Sequence, residues 1–294
     1  SSPAPAVSPR LAVGLALASV YFIWGSTYLG IKVAVASMPP LLMSGGRFIL
    51  AGLILLLFLR LRGVALPTRE GWINSAKVGI LLMVGGNGGV TVAEHLGVDS
   101  GIAATVVASM PLWLALFGHL WGLRSRALEV TGMLLGLAGV ALLTSEGGFR
   151  FGSLASLIVV LAPVCWAFGS AWGRHLRLPQ GLMASAAEML CGGIVLILLS
   201  PILGERLSSP ITLQSWLAFA YLTVFGSLLG YSAYMYLLSN TRPALASSYA
   251  YVNPVVAVLL GIGLGGETLG LAGIAAMAVI LAGVGLIGLS RARS

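Results

Sequence analysis

Long apolar runs alternate along the chain with short breaks made of charges, prolines and small polar residues. The runs lie roughly at 11–36, 42–59, 75–93, 101–120, 127–144, 154–173, 182–202, 215–238, 244–264 and 270–289. A helix needs about 20 apolar residues to cross a bilayer, and each run is near that length. A membrane barrel would instead show alternating segments of about ten residues. The pattern predicts an all-α membrane protein with ten transmembrane helices. Residues 1–10, opening as SSPAPAVSP, read as a disordered cytoplasmic tail, and residues 291–294 as a second tail. The first apolar run is too long for a signal-peptide core and shows no clear cleavage site.

Composition sharpens this picture. Of 294 residues, 58% are hydrophobic and 8% charged, too few charges to cover a soluble globule. The net charge of +8 does not mark a nucleic-acid binder, because the basic residues sit singly or in pairs between apolar runs. Their distribution is topological. Arg10, Arg60, Arg62, Arg69, Lys77, Arg124, Arg126, Arg174, Arg177, Arg242, Arg291 and Arg293 fall on one side, Arg150 and Arg206 on the other. The positive-inside rule then predicts that both termini are cytoplasmic. Cys165 and Cys191 lie inside apolar runs as buried thiols do. His95, His119 and His175 lack the spacing of a metal site, so no metal or other cofactor is expected.

The chain repeats itself. Pro39, Leu42 and Met43 recur as Pro179, Leu182 and Met183, Trp24 as Trp166, and Gly85 and Gly89 as Gly226 and Gly230. Met110-Pro111 recurs in position as Asn253-Pro254, and Ala138-Gly139-Val140 as Ala282-Gly283-Val284. The offsets stay between 140 and 144, so each copy holds five helices: 11–147 and 148–290. An odd number of helices forces the second copy to enter the membrane inverted. Two five-helix inverted-topology repeats place a substrate site near mid-membrane between them.

Candidate site residues follow from that placement. Gly85-Gly86-Asn87-Gly88-Gly89 predicts a weak or distorted helix, with Asn87 either lining the pathway or bonding a neighbouring helix. Pro111 and Pro254 are expected to kink the fourth and ninth helices and to serve as hinges. At helical spacing Ala246, Tyr249 and Asn253 share one face, and Ala103, Val106, Met110 and Trp113 share its equivalent. Aromatic residues near segment ends (Trp72, Trp121, Trp172, Trp216, Tyr21, Tyr236) read as interface belts. The deeper Trp24, Tyr28, Trp113, Trp166, Tyr231, Tyr234 and Tyr249, with Ser170 one turn from Trp166, suit a cavity that admits large apolar side chains. Arg47 and Glu188 are charges inside the membrane, related by the repeat but at different depths, so they are not expected to pair. Lys32 is expected to snorkel, and Glu94 and His95 to be solvated at the end of the third helix.

At these residues the chain resembles the drug/metabolite transporter superfamily. Ser44-Gly45-Gly46-Arg47-Phe48 with Ala51 is similar to the arginine motif of its second helix. Ala246, Ser247, Asn253-Pro254 and Gly266-Glu267 are similar to the pattern of its ninth. The resemblance spans both EamA-type halves and is strongest to bacterial YddG-type aromatic amino-acid exporters. One departure is that Gly122-Leu123 stands where the first half's own Gly-Glu is expected. The resemblance implies a secondary transporter exporting amino acids, aromatic and other neutral ones, and related metabolites. It also implies a structural Arg47 that holds helix-end carbonyls.

The expected protein is therefore a multi-pass transporter of the cell inner membrane, in contact with lipid, amino-acid substrates and no nucleic acid, and acting as a monomer. Alternatives are an exporter of other small drugs or metabolites, a membrane-embedded enzyme, or a scaffold. No P-loop and no catalytic constellation favours an enzyme. The wall offers no fixed charge at mid-depth, so neutral groups such as Asn87, Ser170 and Asn253 are expected to solvate the substrate zwitterion. With the native cysteines replaced, a membrane-impermeant thiol reagent added from outside should label single cysteines at 147 or 205, and none at 62 or 175. The reverse pattern would overturn the topology.

Overall fold

In lipid every backbone amide must be satisfied within its own segment, which leaves helices as the economical solution for apolar runs of this length. The computed structural model describes residues 9–98, 103, 106–123, 125–143, 153–207, 210–265 and 271–292, and these contain helices and no strand. In chain order they are α1 (Pro9–Ala34), α2 (Pro40–Leu61), α3 (Arg69–His95), α4 (Met110–His119), α5 (Ala127–Leu143) and α6 (Leu154–Gly173). Then follow α7 (Leu182–Ile202), α8 (Leu213–Asn240), the single turn α9 (Pro243–Ala246), α10 (Tyr249–Gly265) and α11 (Leu271–Ala292). Six of them, α1, α2, α3, α6, α7 and α8, are long and apolar enough to span a bilayer. Pro9 and Arg10, expected in the tail, already belong to α1. Arg124, Arg150, Gly266, Glu267, Arg293 and position 147 lie outside the described residues.

The helices are turned inside out relative to a soluble fold. On α2 the exposed positions are Leu50, Leu53, Ile54, Leu57, Phe58 and Leu61, whereas Ser44, Gly45, Arg47, Ala51 and Gly52 are buried. Lipid solvates the branched apolar surface, and small residues let helix backbones approach inside. The most extensive packings are α2 on α7 and α5 on α11. Both pairs run antiparallel. A Cβ at Gly45 would lie 2.9 Å from the Gly193 carbonyl, and one at Gly52 would lie 3.0 Å from that of Ala186. Likewise Gly132 faces the Gly283 carbonyl at 2.6 Å, while Gly139 meets Ile280. Around these pairs α1 packs on α8 and α10, and α6 packs on α3 and α4.

Helix ends carry the repeat as well. Thr68 caps α3 and Thr212 caps α8, each accepting a hydrogen bond from the backbone N–H three residues on. Gly63 and Gly204 take positive φ, 80° and 79°, just beyond α2 and α7. α3 and α8 each widen to π-helical turns in mid-span, at Ile80–Gly88 and Leu222–Tyr231. The glycine-rich stretch predicts the first distortion and gives no hint of the second.

Serines interrupt two runs expected as single helices. Ser109 Oγ donates to the Val106 carbonyl at 2.7 Å, and Ser248 Oγ donates to that of Leu245 at 2.8 Å. α4 and α10 begin immediately after these turns. Pro111 therefore sits in the first turn of α4, where it removes no helical hydrogen bond, and not at a mid-helix kink. Pro254 is inside α10, and so is Pro163 inside α6.

Arginines fasten one end of the bundle. Arg174 donates to the Leu238 carbonyl at 2.6 Å near the end of α8, and Arg126 to that of Ser290 at 2.7 Å near the end of α11. Arg242 pairs with Glu129 through Nε and Nη2, and this hydrogen bond raises its already high pKa further. At the opposite end Glu205 accepts from the Leu41 and Leu42 amides at 2.9 and 3.1 Å, capping α2. Cations at helix C-termini and an anion at an N-terminus both oppose the helix dipole.

Gly192 packs so closely that a Cβ there would fall 2.6 Å from the Gly79 carbonyl. Gly192→Val should cost about 1–3 kcal/mol by overpacking. It is expected to lower the melting temperature in detergent, while Ile194→Val on the lipid-facing side of the same helix leaves it unchanged.

Candidate functional site

Between the halves lies a cavity of about 710 Å³ including its mouth, bounded by residues of α1, α2, α3, α6, α8 and α10 and by Val107 and Met110. Toward the arginine-rich end it is floored by aromatic rings. Trp24 and Trp166 meet edge to face at 5.5 Å, Tyr249 lies 4.7 Å from Trp24, and Tyr234 lies 5.3 Å from Trp24. Toward the other end the wall continues through Tyr28, Ile31 and Val90.

The floor is set by a reciprocal fit. Trp24, from α1, lies against Gly230 of the wide turn in α8, where a Cβ would sit 2.5 Å from the indole Nε1. Trp166, from α6, lies against Gly86 of the wide turn in α3, where a Cβ would sit 2.5 Å from its Cε3. Each half thus supplies a tryptophan to the other half's glycine. The sequence pairs Gly85 with Gly226 at offset 141, whereas the glycines with equivalent roles, Gly86 and Gly230, stand 144 apart. Trp24 Nε1 also donates to the Gly226 carbonyl at 2.9 Å.

Of the sequence-predicted residues, Trp24, Tyr28, Asn87, Met110, Trp166, Tyr231, Tyr249 and Asn253 line the cavity. Ser170 and Tyr234 do not. Both are fully buried: Tyr234 packs its ring into the floor from behind, and its hydroxyl is bonded to that of Ser170 at 2.7 Å. Trp113 turns away to stack on Phe117 at 6.3 Å and donates to Ser109 Oγ. Tyr21, expected at an interface belt, instead bonds Ser248 at 2.6 Å. Glu94, expected to be solvated, has both carboxylate oxygens buried without a hydrogen-bond partner.

The two intramembrane charges part company. Glu188 is fully buried on α7 and accepts a 2.5 Å hydrogen bond from Tyr231, whose other face lines the cavity. Arg47 holds no helix-end carbonyl. It lines the cavity with 2% exposure, its guanidinium over the Phe48 ring at 4.6 Å and its Nη2 donating to Asn87 Oδ1 at 2.5 Å. The expectation of a wall without fixed charge is therefore wrong. Motif resemblance placed Arg47 on the right helix, but only the rotation of α2, set by its glycine contacts to α7, decides what the side chain faces. Thr27, Phe48 and Pro163 also line the cavity without having been singled out. Pro163 had a readable signal, being a proline in mid-run beside Trp166. Among the described residues no three metal-ligating side chains cluster.

Two tandem helical units of long apolar helices enclosing an aromatic-lined cavity define a multi-pass membrane transporter. The EamA-like transporter family matches residues 11–145 and again 153–289, and the chain belongs to that family within the drug/metabolite transporters. It is 50% identical over 276 residues, 94% of this chain and 90% of the relative, to YedA of Escherichia coli K12, named an uncharacterized inner membrane transporter. To the uncharacterized transporter YvbV of Bacillus subtilis 168 it is 27% identical over 85% of this chain and 83% of the relative. A solved crystal structure shares the fold at a TM-score of 0.79 and 24% identity, covering 94% of this chain and 97% of its own.

Gly86→Ala should push Trp166 from its seat. The expected signature is a red-shifted tryptophan emission with faster acrylamide quenching, and the change should vanish when Trp166→Phe is already present.

Proposed function

We propose that the protein exports amino acids, aromatic and other neutral ones, and related metabolites across the cell inner membrane by alternating access. The observation that carries this reading is the aromatic-floored cavity between two equivalent halves, lined by polar as well as apolar groups. Ring faces accept varied apolar side chains without gripping any one of them, which favours breadth over affinity. The two halves are read as inverted repeats of five membrane helices each, 11–147 and 148–290. Antiparallel packing of the equivalent pairs α2–α7 and α5–α11 supports this. Both termini are placed in the cytoplasm because the arginine-rich end carries them, and the inner membrane agrees with the name of the YedA relative.

In this reading the aromatic floor is the cytoplasmic gate, closed here, and the cavity faces the other compartment. Opening requires Trp24 and Trp166 to leave their glycine seats together, because each seat belongs to the opposite half. Pro163 and Pro254, inside α6 and α10, supply the bending points, each where a backbone donor is missing. The cycle needs one chain only.

Reconstituted vesicles loaded with labelled phenylalanine or threonine test the proposal. Protein-dependent efflux is expected, reduced about tenfold by Trp166→Ala or Asn253→Ala in protein that remains monodisperse. Efflux of neither amino acid overturns the substrate class. Unchanged efflux in both variants moves the pathway elsewhere.

A further inference from the structure

Arg47 is an expensive residue to keep where it is. A guanidinium withdrawn from water costs several kcal/mol unless a counter-charge compensates it. The ion pairs among the described residues join Arg177 to Glu70 and Arg242 to Glu129, and neither involves Arg47. Among the described residues its one hydrogen bond goes to a neutral amide, Asn87 Oδ1, and its Nε has no hydrogen-bond partner. Asn87 is itself held in place. Its carbonyl accepts from Thr91 Oγ1 at 2.9 Å, on a wide helical turn bordering the cavity. The same cavity is lined by Asn253, 2% exposed, whose side chain neighbours the Tyr28 hydroxyl and whose Oδ1 has no hydrogen-bond partner among the described residues. Among the described residues, therefore, a cation without a counter-charge, its unpartnered Nε and the unpartnered Asn253 Oδ1 belong to side chains that line one space, together with Trp24 and Tyr249.

We propose that Arg47 binds the carboxylate of the transported molecule, with Asn87 as its positioning residue and Asn253 Oδ1 receiving the substrate ammonium. The inference rests on reading the cavity as the transport site, and it narrows the substrate to small organic acids and α-amino acids. A guanidinium presents its donors in a planar fork that matches a carboxylate, whereas a neutral amide wall would serve amines and amino acids alike. Simple amines of the same shape are excluded, because their single positive charge would meet Arg47 without compensation. Asn87, read from sequence as a substrate contact, becomes a group that aims the arginine.

Three phenyl compounds of similar size test this against the purified full chain, with binding followed by quenching of tryptophan emission. They are L-phenylalanine, 3-phenylpropionate without the ammonium, and phenethylamine without the carboxylate. The wild type should bind the first two, with phenethylamine at least about tenfold weaker. Asn87→Asp keeps the side-chain shape and gives Arg47 an internal counter-ion, so it folds even if Arg47→Gln does not. It should weaken both carboxylates about tenfold and leave phenethylamine unchanged or tighter. Asn253→Ala should weaken phenylalanine and spare 3-phenylpropionate.

The outcomes separate the two readings. Arginine-dependent binding of 3-phenylpropionate without binding of phenylalanine leaves the anion site standing and removes the amino-acid assignment. Phenylalanine bound equally by wild type and Asn87→Asp removes the anion site and leaves amino-acid transport standing. Phenethylamine binding as tightly as 3-phenylpropionate to the wild type, or no binding of either carboxylate, overturns the proposal.

Discussion

Two tryptophans resting on two glycines set the geometry on which the rest of the protein depends. An indole needs a flat surface of its own size, and the wide turns of α3 and α8 provide one only because residues 86 and 230 have no side chain. The fit is tight enough that a single methyl group would displace a ring. Because each ring reaches across to the other half, the contact that closes the floor also fastens the halves together. Separate contacts for closure and for cohesion would let one fail without the other. Here a shift of either helix moves both, and the cavity above inherits its depth from the position of the rings.

The polar inventory follows from the same apolar surroundings. Ser170 bonds Tyr234, and Tyr231 bonds Glu188 Oε2, in buried positions behind the floor. Arg47 breaks this habit by facing the open space with part of its hydrogen-bonding capacity unused. Other buried polar atoms, among them both Glu94 carboxylate oxygens and Glu188 Oε1, also lack a hydrogen-bond partner among the described residues, so what sets Arg47 apart from them is that it does so beside the cavity.

Much of this is legible before any coordinates are seen, because lipid imposes long apolar runs and the repeat shows in residues such as Trp24 and Trp166. The family and its tandem halves follow from those features, and Trp24, Tyr28, Trp166, Tyr231 and Tyr249, singled out by sequence, line the cavity. What escapes is whatever depends on helix rotation within tenths of a turn. Arg47 and Trp113 each lie on a helix that borders the cavity; one faces it and the other does not, and composition is blind to the difference. The wide turn in α8 was also missed, since LTVFGSLLGY has no run of glycines to announce it. The break before α10 is a side-chain effect of Ser247 and Ser248 inside an otherwise uniform apolar run. Pro111 reads as a mid-helix kink only if its run is one helix, and a proline's consequence depends on where the first turn begins.

The antiparallel glycine contacts of α2 with α7 and of α5 with α11 also bear on how the chain assembles. Gly45 finds Gly193, and Gly132 finds Gly283, across about half the length of the polypeptide. At roughly 5–20 residues per second, a ribosome needs on the order of ten seconds to add that much chain. During that interval the first unit waits in the bilayer with its smooth faces uncovered, available to any neighbouring helix of similar relief. Tight pairing that depends on late partners makes the nascent protein reliant on slow, faithful insertion, and most exposed to misassembly when two copies are made side by side.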